Sequence, residues 1–187
     1  MLVYYKIILI GDGAVGKTAL CSRFMEKVFL GEYLMTLGTD VTLKTITIGK
    51  RQIQLQIWDI AGQPFFESIR ESYYRSALGA LFVFDVTRPE TLQNGPNWIR
   101  ELWKHNGKGE IPVVILGNKV DLRGGMTTSV NSSEGRALAH ELSESAQSDI
   151  KIPYLETSAK TGKNVEQAFY LLTEEIAAFI ERQLRDL

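Results

Sequence analysis

Residues 4–18 read YYKIILIGDGAVGKT. An apolar run, 4–10, has the length and composition of a buried strand, and it leaves through three glycines. A lysine and a threonine then stand where a helix should begin. Glycine costs more backbone entropy to order than any other residue, and an ammonium at a helix N-terminus opposes the helix dipole. The stretch therefore needs a partner that repays both costs, and an anion does. The spacing G-x4-G-K-T, Gly11 to Thr18, lets successive backbone N–H groups point inward around phosphate oxygens. Lys17 then reaches the outer phosphates and Thr18 offers its hydroxyl to magnesium. The plain alternative, a flexible glycine turn, leaves Lys17 at the wrong end of a dipole and ignores the strand–loop–helix setting.

Working outward, short apolar runs alternate with longer amphipathic ones. LKTITI (43–48) and QIQLQIW (52–58) alternate with period two around Gly49-Lys50, the pattern of a hairpin with one buried face. ALFVFD (80–85), PVVIL (112–116) and PYLET (153–157) suit interior strands. Helices are expected over 17–28, about 66–77, about 90–104, about 132–146 and 164–184. In the last, Val165, Ala168, Phe169, Leu172, Ile176, Phe179 and Ile180 recur at helical steps, with Asn164 as N-cap. NGPN (94–97) should delay or kink the third helix. Strands alternating with helices imply an α/β fold: a six-stranded, mostly parallel sheet with one antiparallel strand and helices on both faces. Ligands in such sheets bind beyond the carboxyl ends of the strands.

The 187 residues suit one domain, 1–187, and 44% hydrophobic with 23% charged residues is ordinary for a globular chain. A net charge of −1 provides no field for nucleic acid, and no nucleic-acid partner is expected. The one cysteine, Cys21, sits between apolar neighbours and reads as a buried thiol in a reducing, cytoplasmic setting. No apolar run approaches membrane-spanning length. The visible ends carry no signal peptide and no lipidation motif, so membrane association is expected only peripherally, through partners or a tail beyond Leu187.

Three further stretches fall at predicted strand ends. In WDIAGQ (58–63), Asp59 is placed to hold magnesium through a water and the Gly62 amide to bond a terminal phosphate. Gln63 has the donor and acceptor needed to orient an attacking water. In NKVD (118–121), comprising Asn118, Lys119 and Asp121, a fixed carboxylate accepts from guanine N1–H and its 2-amino group. Adenine would instead present an acceptor to Asp121. Alone, the tetrapeptide reads equally well as a polar turn. In TSAK (157–160), Ser158 and Ala159 are small enough for backbone amides to approach the base O6, and the Lys160 stem can cover a base face. All four stretches converge on one rim.

On these residues the sequence resembles a small GTPase of the Ras superfamily, and within it the Rab family. SYYR (72–75), FVFDVT (82–87), LETSAKTGKNVE (155–166) and TLGTD (36–40) match Rab patterns in order. The resemblance implies a magnesium-dependent switch between GTP and GDP. Gly13, Ala14, Val15, Gly16, Lys17, Thr18 and Ala19 would wrap the phosphates. Thr18 and Thr36 would ligate magnesium with Asp59 in its outer shell, Phe29 would pack on guanine, and Tyr33 would cover the phosphates. Two switches, around 30–40 and 61–76, would be ordered by the terminal phosphate through Thr36 and Gly62. An exchange factor, a GTPase-activating protein and effectors would bind a monomer there, on apolar residues including Leu34, Met35, Leu37, Val41, Trp58, Phe65, Phe66 and Ile69.

Some positions depart from the pattern. Ile60 replaces the usual Thr, Pro64-Phe65 replace Glu-Arg, and Val41 replaces an effector-contacting Phe. Residues 123–131 are irregular and 143–151 form a long link. Pro64 narrows the backbone freedom of Gln63, so Gln63 is expected to be held differently. No arginine lies between Arg23 and Arg51, so the first switch supplies none in cis, and slow intrinsic hydrolysis accelerated by a partner is expected. Arg70 and Arg75 could weaken that expectation, though surface salt bridges are the commoner fate of such residues. Two other classes compete: a GTP-locked scaffold without turnover, which Pro64 would favour, and a P-loop kinase, which needs an acceptor site and an arginine-rich lid that the sequence does not display.

Overall fold

The structure, a computed structural model, describes residues 3–26, 38–62, 67–125 and 129–185. Strands β1 (Val3–Ile10), β2 (Thr39–Ile48), β3 (Arg51–Ile60), β4 (Gly79–Asp85), β5 (Val113–Asn118) and β6 (Tyr154–Glu156) form one sheet in the order β2-β3-β1-β4-β5-β6. β2 runs antiparallel to β3, and every other neighbouring pair is parallel. The predicted sheet is therefore observed, with its hairpin turning at Gly49, where φ is 59°.

Helices α1 (Lys17–Phe24), α2 (Glu67–Tyr74), α3 (Pro89–Gln93), α4 (Gly95–His105), α5 (Ser132–Ser145) and α6 (Val165–Arg185) cover both faces. One core joins Leu20 and Phe24 of α1 to Phe169, Leu172 and Ile176 of α6 across Ile7, Leu9, Leu81 and Val83. Phe24 and Phe169 stack with centroids 4.0 Å apart. The opposite core packs Tyr74, Trp98, Ile99, Leu102, Ala139 and Leu142 on Ile8, Phe82 and Ile115. β4 and β5 are buried throughout, which explains their unbroken apolar runs: a parallel strand covered on both faces has no solvent side to alternate with.

Several local expectations change. α1 ends at Phe24, followed by Met25 and Glu26, the latter at φ 61°; the remainder of the expected 17–28 span lies outside the described residues. The expected 90–104 helix breaks at NGPN as the sequence leads one to expect: it is two helices meeting at Asn94, with Pro96, which has no N–H to donate, in the first turn of the second. Asn164 does not cap α6 with its side chain. It adopts φ 56°, and its amide donates to the Glu156 carbonyl at 2.8 Å, tying the helix start to β6. The capping box belongs to α5 instead. Asn131 accepts from the Ser133 and Glu134 amides while the Glu134 carboxylate accepts from the Asn131 N–H. In the long link, Glu110 accepts from the Gln147 and Ser148 amides at 2.9 and 2.7 Å.

Because β1, β3, β4, β5 and β6 are mutually parallel through their neighbours, their carboxyl ends form one rim. The chain leaves β1 toward β3 on one side and β4 toward β5 on the other. Such a reversal opens a crevice at that rim.

Candidate nucleotide-binding site

The loop after β1 is held against its neighbours so tightly that two of its glycines, Gly11 and Gly16, leave no room for a side chain. At Gly11, φ is 133° and a Cβ would lie 2.1 Å from the Val83 carbonyl oxygen. At Gly16, φ is 102° and a Cβ would lie 2.3 Å from Asn118 Nδ2. Ala14 holds φ 63° without being glycine, a left-handed conformation that costs roughly 1–2 kcal/mol for an L-residue. α1 begins directly after this loop with no side-chain cap and no acid in its first turn, leaving its first N–H groups for another acceptor.

Lys17 is 6% exposed. Its ammonium donates to the Gly11 and Asp12 carbonyls, both at 2.8 Å, so the charge sits inside the ring of the loop. Burial pulls its pKa down to about 8, opposed by the nearby Asp59 and Asp12 carboxylates. Thr18 Oγ1 donates to the Asp59 carboxylate, which brings the hydroxyl from α1 and the acid from β3 together beside Lys17. Gly62 packs on the same loop: a Cβ there would lie 2.3 Å from the Gly11 oxygen.

One side chain joins the ends of the crevice. Asn118, 1% exposed at the tip of β5, donates from Nδ2 to the Val15 carbonyl at 2.9 Å. Its Oδ1 accepts from Thr157 Oγ1 at 3.2 Å and the Ala159 amide at 3.4 Å. The phosphate-type loop, the NKVD stretch and the TSAK stretch therefore meet on a single amide. Lys119, at φ 66°, donates to the Ala14 carbonyl at 2.7 Å and pairs with buried Asp85 at 2.6 Å. Ser158 Oγ donates to Asp121 at 2.5 Å, while Asp121 and Lys160 stay exposed at the crevice edge.

Thus Gly13, Ala14, Val15, Gly16, Lys17, Thr18, Ala19, Asp59, Gly62, Asn118, Lys119, Asp121, Ser158, Ala159 and Lys160 all lie on strand ends, loops and helix starts at one rim. Phe29, Tyr33, Thr36 and Gln63 fall outside the described residues, as does Pro64. Sequence reasoning passed over Asp12, Asp85, Arg88, Asn94 and Trp98. The Asp12 carboxylate accepts from Asn94 Nδ2 at 2.8 Å and Trp98 Nε1 at 2.7 Å, pinning the loop to α4. Arg88 Nη1 donates to the Gly13 carbonyl at 3.1 Å. A polar residue inside the glycine loop was a legible signal for Asp12, and the others carry no local signature. Arg70 corrects a sequence expectation. It is 4% exposed, paired with Glu101 at 3.2 Å and 4.5 Å above the Trp98 ring, not on the surface.

A sequence model of the Ras family matches residues 6–178. The Ras-related protein Rab-8B of Homo sapiens is 38% identical over 182 residues, spanning 97% of this chain and 83% of that protein. The Ras-related protein Rab-8A of Bos taurus is 38% identical over 180 residues, 96% of this chain and 82% of that relative. A single rim that gathers a glycine-lined anion loop, a buried lysine and the NKVD and TSAK stretches, in a chain this similar along its length, does not favour the kinase or the inert scaffold: the protein belongs to the Ras family, is Rab-like, and is a guanine nucleotide-binding switch that hydrolyses GTP to GDP and phosphate.

Proposed function

We propose that residues 1–187 act as one domain whose rim crevice takes GTP with its triphosphate on Gly13–Ala19 and its guanine between Asn118–Asp121 and Ser158–Lys160. The observation that carries this reading is the Asn118 amide, which bonds the Val15 carbonyl on one side and the Ala159 amide on the other. Both ends of the nucleotide thereby rest on one rigid bridge.

The donor set beside Lys17 fits magnesium: a hydroxyl and a carboxylate, Thr18 and Asp59, are hard oxygen ligands already in contact. Thr18 and Thr36 would hold the ion with Asp59 in its outer shell. When bound, it would supply positive charge that neutralises the phosphate oxygens. Lys17 and the loop amides hold the outer phosphates, Gly62 donates to the terminal one, and Gln63 orients the attacking water. Phe29 and Tyr33 close over base and phosphates.

Members of this family work with exchange factors, GTPase-activating proteins and effectors. In this chain we place their contacts at 30–40 and 61–76 and on the sheet face beside them, where Val41 and Leu43 are 45% and 53% exposed on β2. Val41 pairs in register with Trp58. The reading is of a monomer in the cytoplasm, peripheral to membranes through partners. Among the described residues no helix is long and apolar enough to cross a bilayer.

Base specificity is tested by Asp121→Asn. Guanine loses two charge-assisted bonds worth about 1.5–3 kcal/mol each, so GTP affinity should fall by about 10²-fold or more. Xanthosine triphosphate, which presents a carbonyl where guanine has its amino group, should gain. A variant that kept the wild-type preference for GTP over xanthosine triphosphate would remove Asp121 from the base site.

A further inference from the structure

Arg88 is the last residue before α3, and its guanidinium reaches back 75 positions in sequence to the Gly13 carbonyl at 3.1 Å. Its backbone is fixed on both sides. The Arg88 N–H donates to the Asp85 carbonyl at 2.9 Å, the Arg88 carbonyl accepts from the buried Thr91 hydroxyl at 2.7 Å, and Pro89 follows. Thr91 in turn accepts from the Asp85 amide at the tip of β4. A side chain hung from so constrained a backbone has its reach decided in advance.

On the placement of the triphosphate proposed above, on which this inference rests, the end of the loop that Arg88 addresses is the end where the terminal phosphate is read. Gly62 presses on Gly11 and Asp12, directly ahead of Gln63 in the chain. Lys17 lies on the carbonyls of Gly11 and Asp12. Gly13, the next residue, carries Arg88. Two cations thus flank the Asp12–Gly13 segment from opposite elements.

The present bonds of Arg88 are weak ones. The carbonyl contact is neutral on its acceptor side, worth about 1 kcal/mol net. The Nε contact to Glu90 at 2.9 Å is an exposed pair, with side chains 41% and 58% exposed, of the kind that contributes least. A polyanionic acceptor beside Gly13 outcompetes both. Arg70, the other candidate, is committed to Glu101 and Trp98, and its charge is met by a carboxylate.

We propose that Arg88 is a catalytic arginine supplied in cis: with GTP in place its guanidinium exchanges the Gly13 carbonyl for oxygens of the terminal phosphate. In the reaction, the oxygen of water bonds the γ-phosphorus while the bond from that phosphorus to the β–γ bridging oxygen breaks. The electron pair leaves on the GDP β-phosphate, and the proton of the water ends on the released phosphate. Negative charge spread over the transferring group is what the planar fork of Arg88 stabilises. The first switch supplies no arginine, and the turn before α3 supplies one instead.

The test compares wild type with Arg88→Ala and Arg88→Lys in single-turnover hydrolysis. GTPases that carry their arginine in cis turn over roughly 20-fold faster than those that wait for a partner's. Both variants should therefore slow by about 20-fold with GDP and GTP affinities changed less than about three-fold. Lysine should fail as alanine does, because it brings charge without the fork. GDP with aluminium fluoride and magnesium, followed by fluorine NMR without any partner protein, should give a transition-state complex with wild type and none with either variant. Because GDP alone binds all three proteins, loss of that complex indicts the arginine and not the nucleotide site. Variants that hydrolyse at the wild-type rate, or that form the aluminium fluoride complex equally well, overturn the proposal. So does a slowing matched by an equal loss of nucleotide affinity, which would reduce Arg88 to a brace for the loop.

Discussion

Asn118 shows how much a single amide can organise. Its three hydrogen bonds go to two other segments, as many as 103 residues away, and all are buried. Asn118→Ala leaves the Val15 carbonyl, the Thr157 hydroxyl and the Ala159 amide without that partner. By the cost of unpaired buried polar groups this should destabilise the fold by about 2–4 kcal/mol, measured by urea denaturation without nucleotide. Lys17 makes a second residue-scale prediction. Its pKa in the free protein, pulled to about 8 by burial, must rise again when a phosphate accepts its charge. Below pH 8 both free and bound forms are protonated, and GTP affinity is independent of this group. Above pH 8 the free protein gives up the proton first, so binding must take it back, and affinity falls as pH rises. Calorimetry at pH 9 in buffers of differing ionisation enthalpy should register proton uptake. Uptake of none would mean that Lys17 does not meet the phosphates.

Among the elements, α2 and α4 are joined by a buried polar latch. Arg70 donates to both Glu101 oxygens at 3.2 and 3.4 Å, Tyr74 donates to Glu101 at 2.9 Å, and the guanidinium lies over Trp98. Trp98 then donates to Asp12 of the phosphate loop. Glu101→Ala withdraws the carboxylate from a buried guanidinium and should cost about 3–5 kcal/mol, whereas Arg70→Met with Glu101→Leu should fall within about 1 kcal/mol of wild type. Chemical denaturation of the two variants checks this, and equal destabilisation of both would show that packing, not charge, holds the latch. Element types were legible because their periods differ: β4 and β5 are solid apolar runs, and α6 repeats at three and four. Caps were not. Asn131 and Asn164 look alike in sequence, and which one caps depends on whether its backbone is extended or left-handed, φ −86° against 56°. That choice is made by what the preceding chain docks against.

On the scale of the whole molecule, the crevice exists because parallel strands put their carboxyl ends on one rim. Four separate sequence stretches can meet only if the order is β3-β1-β4-β5-β6. The motifs could be read locally, since each has its own spacing. The contacts that lock them together, Lys119 to Ala14 and Arg88 to Gly13, span 105 and 75 residues and follow from strand order alone. No window of sequence contains them.

The central claim is that one crevice grips a triphosphate and a guanine together. Denaturing the purified protein and chromatographing what it releases tests this most directly. GDP or GTP at close to one per chain, with Lys17→Ala protein releasing little, is the predicted result. Adenine nucleotide in equal amount, or an undiminished yield from the Lys17 variant, would contradict it.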